Sequence, residues 1–154
     1  MEAVTSVIAV LGTLLGVGVS HLFQGRSLRR AEVFSRGERL RQERMEAYTA
    51  FAAALVALRR AQTERWLLDR GKPFDEGEPA MRARAFDLRN EAYDALFRVQ
   101  LVTERPELVR RAEEVLEGVG RIKQACDEAE FDVRRAEAKQ QIHAFVAEAK
   151  GHLD

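Results

Sequence analysis

The chain has 154 residues, of which 46% are hydrophobic and 32% are charged, and its 25 basic and 25 acidic side chains give no net charge. This length is typical of one domain, and 3 prolines and 10 glycines favour long helices over a disordered chain or a many-turned β-sandwich. The single cysteine, Cys126, excludes an internal disulfide, a four-cysteine zinc site and a CxxC redox pair. Without a net positive charge, no nucleic-acid partner is expected.

Residues 4–23 form an apolar segment that matches the thickness of a bilayer. These residues, VTSVIAVLGTLLGVGVSHLF, include no Asp, Glu, Lys or Arg, and a helix of this length spans about 30 Å. An acidic start and the lack of a small-x-small cleavage site argue against a cleaved signal peptide. We therefore predict a transmembrane anchor over residues 1–25. The alternatives are a buried helix of a soluble bundle and a helix covered by partner chains.

Basic residues beside this segment predict its orientation. Arg26, Arg29, Arg30 and Arg36 follow it, whereas no Lys or Arg precedes it. Because basic residues near a span are retained in the cytoplasm, we expect a single-pass protein of the cell (inner) membrane with its N-terminus outside and its C-terminal domain in the cytoplasm. The same arginines can contact anionic headgroups, so the lipid bilayer is an expected partner. Residues 26–46 are predicted to be a basic juxtamembrane helical stalk.

Three small residues of the apolar segment lie four residues apart. Gly12, Gly16 and Ser20 share one stripe of a helix, which allows another helix to approach closely. This stripe predicts a homodimer formed through the membrane anchor. The alternative is a helix that contacts only lipid.

Residues 47–154 are predicted to form an all-α cytoplasmic bundle or coiled coil. The first helix runs on from the anchor without a proline to about Arg70. Its apolar stripe comprises Tyr48, Phe51, Leu55, Leu58, Trp66 and Leu67. The sequence GKPFDEGEP at 71–79 indicates a turn, and therefore a helical hairpin.

The second helix is expected to run from Pro79 to about Thr103 with a core stripe of strict four-three spacing. The stripe comprises Met81, Ala85, Leu88, Ala92, Ala95, Val99 and Val102. Phe86, Tyr93 and Leu96 are expected to widen it.

The third helix is expected to begin at Pro106 and to carry the same spacing towards the C-terminus. Its stripe comprises Leu108, Ala112, Val115, Val119, Ile122, Cys126, Ala129, Val133 and Ala136, before the apolar positions move to Ile142, Phe145 and Ala149. Gly118 with Gly120, and a D-x-x-E capping box from Asp127 to Glu130, are two candidate interruptions. One kinked helix and two helices both remain open, giving an antiparallel three- or four-helix bundle. Folding back at Asp127 is favoured, because it buries Phe131, Ile142 and Phe145.

The sequence contains no pattern that indicates catalysis, a cofactor or a metal site. No His is preceded by a carboxylate three residues earlier, as a helical di-iron site requires. The HExxH, GxxxxGK[ST] and GxSxG patterns do not occur. Cys126 falls on the predicted core stripe, where cysteine acts as a small apolar residue. We therefore expect a protein that is not an enzyme and binds no cofactor or metal.

One cluster carries a competing interpretation. Arg59, Arg60, Arg65 and Trp66 combine residue types that are frequent at binding hot spots. They are a candidate interaction site, either for an anionic ligand or for a protein. The alternative is structural, because Trp66 lies where the core stripe requires a large side chain.

The chain resembles a group of small actinobacterial proteins, some of them labelled KilB-like. The resemblance rests on VIAVLGTLLG at 7–16, on Gln24 with the arginine-rich helix after it, and on the pattern of Arg59, Arg60 and Trp66. It implies a membrane-anchored helical accessory protein connected with plasmid transfer and spread.

Two functional hypotheses follow from the sequence. The first is a non-enzymatic membrane-anchored helical protein that acts through contacts with an unidentified protein partner, as an accessory protein of plasmid transfer. The second is a soluble or peripheral helical binding module with a ligand groove near Arg59, Arg65 and Trp66.

Overall fold

The structure, a computed structural model, describes residues 36–74 and 77–153 and is all-α over these ranges. Helix α1 is helical from residue 36 to residue 68. Three more helices follow it, α2 (Glu78–Val102), α3 (Pro106–Arg121) and α4 (Glu128–Lys150), with a short 3₁₀ helix (Ile122–Gln124) after α3. Arg41–Asp154 form one compact unit. The predicted bundle is therefore confirmed in its four-helix form.

The four helices run alternately up and down. Tyr48, in the first half of α1, contacts Thr103 at the end of α2 and Phe145 near the end of α4. Arg111 of α3 pairs with Glu148 of α4 at 3.3 Å. Gln100 of α2 donates a hydrogen bond to Glu113 of α3. Each helix is thus antiparallel to the next, as short connections favour.

The expected stripe of α1 forms its part of the core. Phe51, Leu55 and Leu58 are at most 1% exposed. Phe145 of α4 packs edge-on against Phe51, with ring centroids 5.2 Å apart. Before Ala47 the side chains of residues 36–46 are exposed, apart from half-buried Arg44, so the described part of the predicted stalk carries no core stripe.

The core stripe of α2 is confirmed, but its expected widening is wrong at two positions. Met81, Ala85, Ala92, Ala95 and Val99 are buried, and Leu96 joins them. Phe86 and Tyr93 instead lie on the opposite side of the helix, 64% and 36% exposed. The helices beside α2 cover only one face of it.

A Schellman motif ends α1 at the predicted turn. Gly71 has a φ of 74°, a left-handed conformation that glycine adopts without a steric penalty. The Gly71 N–H donates to Leu68 O and the Lys72 N–H donates to Leu67 O, which satisfies two carbonyls at the helix end. Pro79 lies in the first turn of α2 and Pro106 in that of α3, as predicted.

The structure resolves the choice between one kinked helix and two. Gly118 and Gly120 both lie within α3, and the chain changes direction only after the 3₁₀ helix that begins at Ile122. A helix continuous from 106 to 150 would be about 67 Å long, and α2 could not have covered it. Folding back therefore brings the apolar residues of α4 onto the bundle.

The break changes the register of the buried positions, so the predicted stripe is wrong beyond Ile122. Cys126 is exposed, and so are the next three predicted positions, Ala129, Val133 and Ala136. The buried residues of the final part are instead Ala125, Phe131, Ala138, Ile142, Phe145 and Ala149. The expectation that folding back buries Phe131, Ile142 and Phe145 is confirmed.

A capping arrangement starts α4 at the predicted place. The Asp127 carboxylate accepts from the Glu130 N–H at 2.8 Å. The Glu130 carboxylate accepts from the Cys126 N–H at 2.6 Å, one residue before the amide that a standard capping box satisfies. This hydrogen bond is the main reason why the pKa of Glu130 lies below its ordinary value; Arg134 lowers that pKa further, and desolvation opposes the shift.

The predicted anchor and its stripe lie outside the described residues. This holds for residues 1–25, for Gly12, Gly16 and Ser20, and for Arg26, Arg29 and Arg30. Arg36 is described, and it is exposed in α1. Within 36–74 and 77–153, none of the helices is both long and apolar enough to cross a bilayer.

We predict that Glu130 gives the fold a pH dependence under acidic conditions. Its folded pKa is depressed below the ordinary 4.5, so its contribution is complete above that pH and is lost as the pH falls through the folded pKa. The free energies of unfolding of the wild type and of Glu130→Gln, measured by chemical denaturation, should therefore differ at neutral pH and become equal in acid. Glu137→Gln, on the exposed surface of α4, is the control. A difference between wild type and Glu130→Gln that persists unchanged in acid contradicts this account.

Candidate protein-interaction site

Four side chains stack in layers where α1 meets α4. Trp66 and Phe131 lie face to face, with centroids 3.9 Å apart and an interplanar angle of 10°. The Arg70 guanidinium lies 3.7 Å from the Trp66 ring centroid, and that of Arg135 lies 5.4 Å from the Phe131 centroid. We call these four residues the Trp66 stack. Cation–π contacts at both ends add to the burial of the two rings.

The Trp66 stack also binds the chain segment between α3 and α4. The Trp66 indole N–H donates to Ala125 O at 2.9 Å. Arg70 donates to Ala125 O at 3.0 Å and to Cys126 O at 2.8 Å. Two carbonyls that belong to no helix therefore receive three hydrogen bonds from α1 and the turn after it. Their satisfaction fixes the place where the chain folds back.

The candidate cluster of Arg59, Arg60, Arg65 and Trp66 does not converge on one pocket among the described residues. Arg60 is exposed and donates to Glu64 at 2.8 Å, and Glu64 also accepts from Arg84 at 2.6 Å. Arg59 and Arg65 are half-buried. Trp66 is 4% exposed, and Arg70 and Phe131 cover its two faces. Ligand binding by the arginines stays a prediction. A ligand could stack on the Trp66 ring only if Arg70 or Phe131 moved away from it.

Positive charges crowd together near Arg65. Burial lowers the pKa of Lys123, and the nearby guanidinium groups of Arg65 and Arg89 lower it further, whereas Asp69 opposes them. The buried Nε of Arg65 has no hydrogen-bond partner among the described residues. This cluster therefore carries an electrostatic cost in the folded state.

An apolar groove lies between α1 and α4, on the side of the bundle where α4 ends. Its volume is about 280 Å³. Its walls are mainly aliphatic and aromatic, with Met45, Tyr48, Ala52, Phe145, Val146 and Leu153 among the lining residues. Met45 and Val146 are 51% and 46% exposed. Such a groove suits an apolar contact rather than a charged ligand.

The outer face of α2 carries a second apolar surface, which includes Phe86 and Tyr93, the two residues predicted to belong to the core. Phe86, Tyr93, Phe97 and Leu101 are 64%, 36%, 54% and 85% exposed. Their spacing of seven, four and four residues places them on one line along the helix. We call these four residues the outer stripe. The sequence signal that could have indicated this surface is that α2 has more apolar residues than one face of a helix can hold.

No metal centre is apparent in the described part of the chain. Residues 36–74 and 77–153 contain no group of three His, Cys, Asp or Glu side chains that are close enough to hold a metal ion. His143, the histidine within α4, is exposed.

Comparison with protein-family models identifies a family over most of the described chain. The family model of the KilB plasmid transfer protein matches residues 45–153. The matched range begins just before Tyr48, where the core stripe of α1 starts, and includes all of α2, α3 and α4. Searches among curated proteins and among solved structures give no match.

We predict that Trp66 is the most sensitive position of the segment between α3 and α4. Trp66→Ala removes a buried stacked ring and should lower the free energy of unfolding by about 3–5 kcal/mol. Trp66→Phe keeps an aromatic ring, and Arg70 still donates to Ala125 O, so we expect a smaller loss, with the hydrogen bond contributing about 1 kcal/mol. Because Trp66 is the single tryptophan, unfolding is followed by circular dichroism. Equal losses in both variants would show that the stack contributes no more than the hydrogen bond.

We predict that removing the charge of Lys123 stabilises the fold. Its pKa is lowered below the ordinary 10.5, so the folded protein disfavours the protonated form at neutral pH. That penalty disappears as the pH rises through the folded pKa towards 10.5. Lys123→Gln should raise the free energy of unfolding by a few tenths of a kcal/mol, since solvent screens the repulsion. Lys139→Gln on the exposed face of α4 is the control, and destabilisation by Lys123→Gln alone would refute the repulsion.

Proposed function

Because the chain belongs to the KilB plasmid transfer protein family, we propose that it is a non-enzymatic, single-pass membrane accessory protein of plasmid transfer that acts through protein contacts. The observation that carries this proposal is the match over residues 45–153, which covers the core of the bundle rather than one short motif. The family assignment therefore concerns the folded helices, and their surfaces are where partners would bind.

The character of those surfaces supports contacts with proteins rather than catalysis. Large apolar side chains are exposed on three helices, among them Val56 on α1, Phe97 on α2 and Val133 on α4. The described residues include two apolar surfaces, the groove between α1 and α4 and the outer stripe of α2. Exposed apolar patches of this kind mark interaction sites on soluble domains.

The proposed anchoring is supported by the sequence before the bundle. Residues 4–23 match a bilayer in length, and basic residues follow them. Charge along the rest of the chain agrees, because residues 26–72 carry twelve basic and six acidic side chains, whereas residues 73–154 carry thirteen and eighteen. The basic part would face anionic headgroups and the acidic part would face the cytoplasm.

The competing hypothesis, a soluble or peripheral module with a ligand groove near Arg59, Arg65 and Trp66, has less support. The Trp66 ring is covered on both faces by Arg70 and Phe131. The apolar groove of the bundle does not lie near Trp66. It lies between the start of the core stripe of α1 and the end of α4.

Fractionation and a transfer assay test the proposed function together. We expect the full chain to stay with membranes in high salt and carbonate and to be released by detergent, because an apolar span is held by lipid. A variant that lacks residues 1–25 should be released without detergent. A matched control, Arg29→Gln with Arg30→Gln, keeps the span and should remain in the membrane fraction.

The transfer assay uses a plasmid from which the gene has been deleted. The full chain, supplied in the donor, should restore transfer, whereas the variant without residues 1–25 should not, although it folds. Release of the full chain by carbonate would exclude the anchor. Undiminished transfer of the deleted plasmid would exclude the role in transfer.

A further inference from the structure

Helix α2 has two apolar stripes on opposite sides, and only one is used by the fold. Met81, Ala85, Ala92 and Val99 of the inner stripe are at most 2% exposed. The outer stripe is exposed along its length from Phe86 to Leu101. A bundle helix needs one apolar face, so the second face requires a separate explanation.

The outer stripe follows the heptad pattern of a two-stranded coiled coil. With Phe86 and Tyr93 at position d, position a is occupied by Ala83, Asn90 and Phe97. The inner stripe then falls on positions c and f, on the far side of the helix. A single Asn among apolar a positions is a feature that fixes register and favours a two-stranded pair.

The residues beside the outer stripe are charged, with opposite signs on its two sides. Arg82 and Arg89 occupy the first two g positions, and Asp87 and Asp94 occupy the first two e positions. In the third heptad, position g is Leu96, which is buried in the bundle, and position e is Leu101, which continues the apolar surface. Within its own chain, Arg82 also pairs with Glu78 and Asp69. Arg89 lies 5.7 Å from the centroid of the Tyr93 ring, so its charge lies beside the stripe. Asp87 and Asp94 are exposed, and neither has an ion pair with any of the described residues.

This charge pattern distinguishes the two directions in which a second copy of α2 could bind. In a parallel pair, each g residue faces the e residue five positions later in the other helix. Arg82 would face Asp87 of the second copy, and Arg89 would face Asp94 of the second copy. In an antiparallel pair, g faces g and e faces e, so arginine would face arginine and aspartate would face aspartate. Charge complementarity therefore favours the parallel arrangement.

We propose that the outer stripe binds the same stripe of a second copy of this chain, forming a parallel two-fold dimer. Two-fold symmetry makes the contact self-complementary, so one set of residues closes the assembly. Because the two copies run in the same direction, the ends of both bundles at which the core stripe of α1 begins, near Tyr48, lie on the same side of the dimer. Two anchors in one bilayer would require that geometry. The inference itself stands on α2 and does not depend on an anchor.

The sequence does not favour residues 4–23 of the same chain as the occupant of the stripe. That segment is apolar, but it contains no charged residue that could pair with Arg89 or Asp94. A second α2 offers both an apolar surface and matching charges. A second copy of α2 is therefore the occupant that accounts for the charged residues beside the stripe as well as for the stripe itself.

Cross-linking at the two ends of the stripe tests the direction of pairing. The full chain is purified in detergent, with Cys126→Ser to remove the exposed native thiol. Ala83→Cys and Phe97→Cys then place one thiol towards each end of the stripe, both at position a, where the native side chains are exposed. A short thiol cross-linker should join two copies of each variant to themselves. Ala136→Cys on the exposed face of α4 is the control and should remain uncross-linked.

The outcomes separate the alternatives. Efficient cross-linking of mixed Ala83→Cys and Phe97→Cys chains, without self-cross-linking of either, would show an antiparallel pair and overturn the proposal. Cross-linking no greater than that of the Ala136→Cys control would also overturn it. If the chains associated only through the membrane segment, the α2 helices of two copies would not be held side by side. Cross-linking through α2 would then be no greater than that of the Ala136→Cys control.

Charge reversal provides an independent test in the same full chain. Arg89→Asp and Asp94→Arg should each reduce self-cross-linking through Ala83→Cys by placing like charges opposite each other. The double variant restores opposite charges and should recover the cross-linked fraction, whereas Glu137→Arg on α4 should have no effect. Circular dichroism checks that each variant is folded. Failure of the double variant to recover would overturn the assigned pairing, whatever the fractionation experiment shows.

Discussion

The bundle depends on the hydrogen bonds that hold the chain where it folds back between α3 and α4. Trp66 and Arg70 donate to Ala125 O and Cys126 O, so α1 satisfies backbone groups that an uninterrupted helix would have satisfied internally. The Asp127 cap then begins α4. Without this arrangement, the apolar residues after Gln124 would extend beyond the reach of α2. The interaction that joins α1 to this segment therefore decides that there are four helices.

The fold-back also decides which side chains of α4 are buried. The break between Gln124 and Glu128 rotates the buried face, so that Phe131 meets Trp66 and Phe145 meets Phe51. Cys126 and Val133 consequently face solvent. These aromatic contacts, one towards each end of α4, hold that helix against α1 along most of its length, which is why Trp66 has a structural role in the bundle.

The chain belongs to the KilB plasmid transfer protein family, and its fold shows which surfaces of the bundle are exposed. The interior of the bundle is used for packing, and the charged residues near Arg65 repel one another. The apolar surfaces lie outside, on α2 and between α1 and α4. The proposed contacts with proteins would form on these exposed apolar surfaces.

The sequence by itself determined the helices, their turns and most of the core, because spacing, prolines and caps act over a few residues. It placed the hairpin at 71–79, the start of α3 at Pro106 and the cap at Asp127, and it identified the buried faces of α1 and α2. The sequence favoured folding back at Asp127 but left a single helix kinked at Gly118 and Gly120 open, and the tertiary structure decided between them. Only the tertiary structure showed that Cys126 is exposed and that Phe86 and Tyr93 lie outside the core. Those outcomes depend on which helix packs against which face, and local periodicity contains no information about the neighbour.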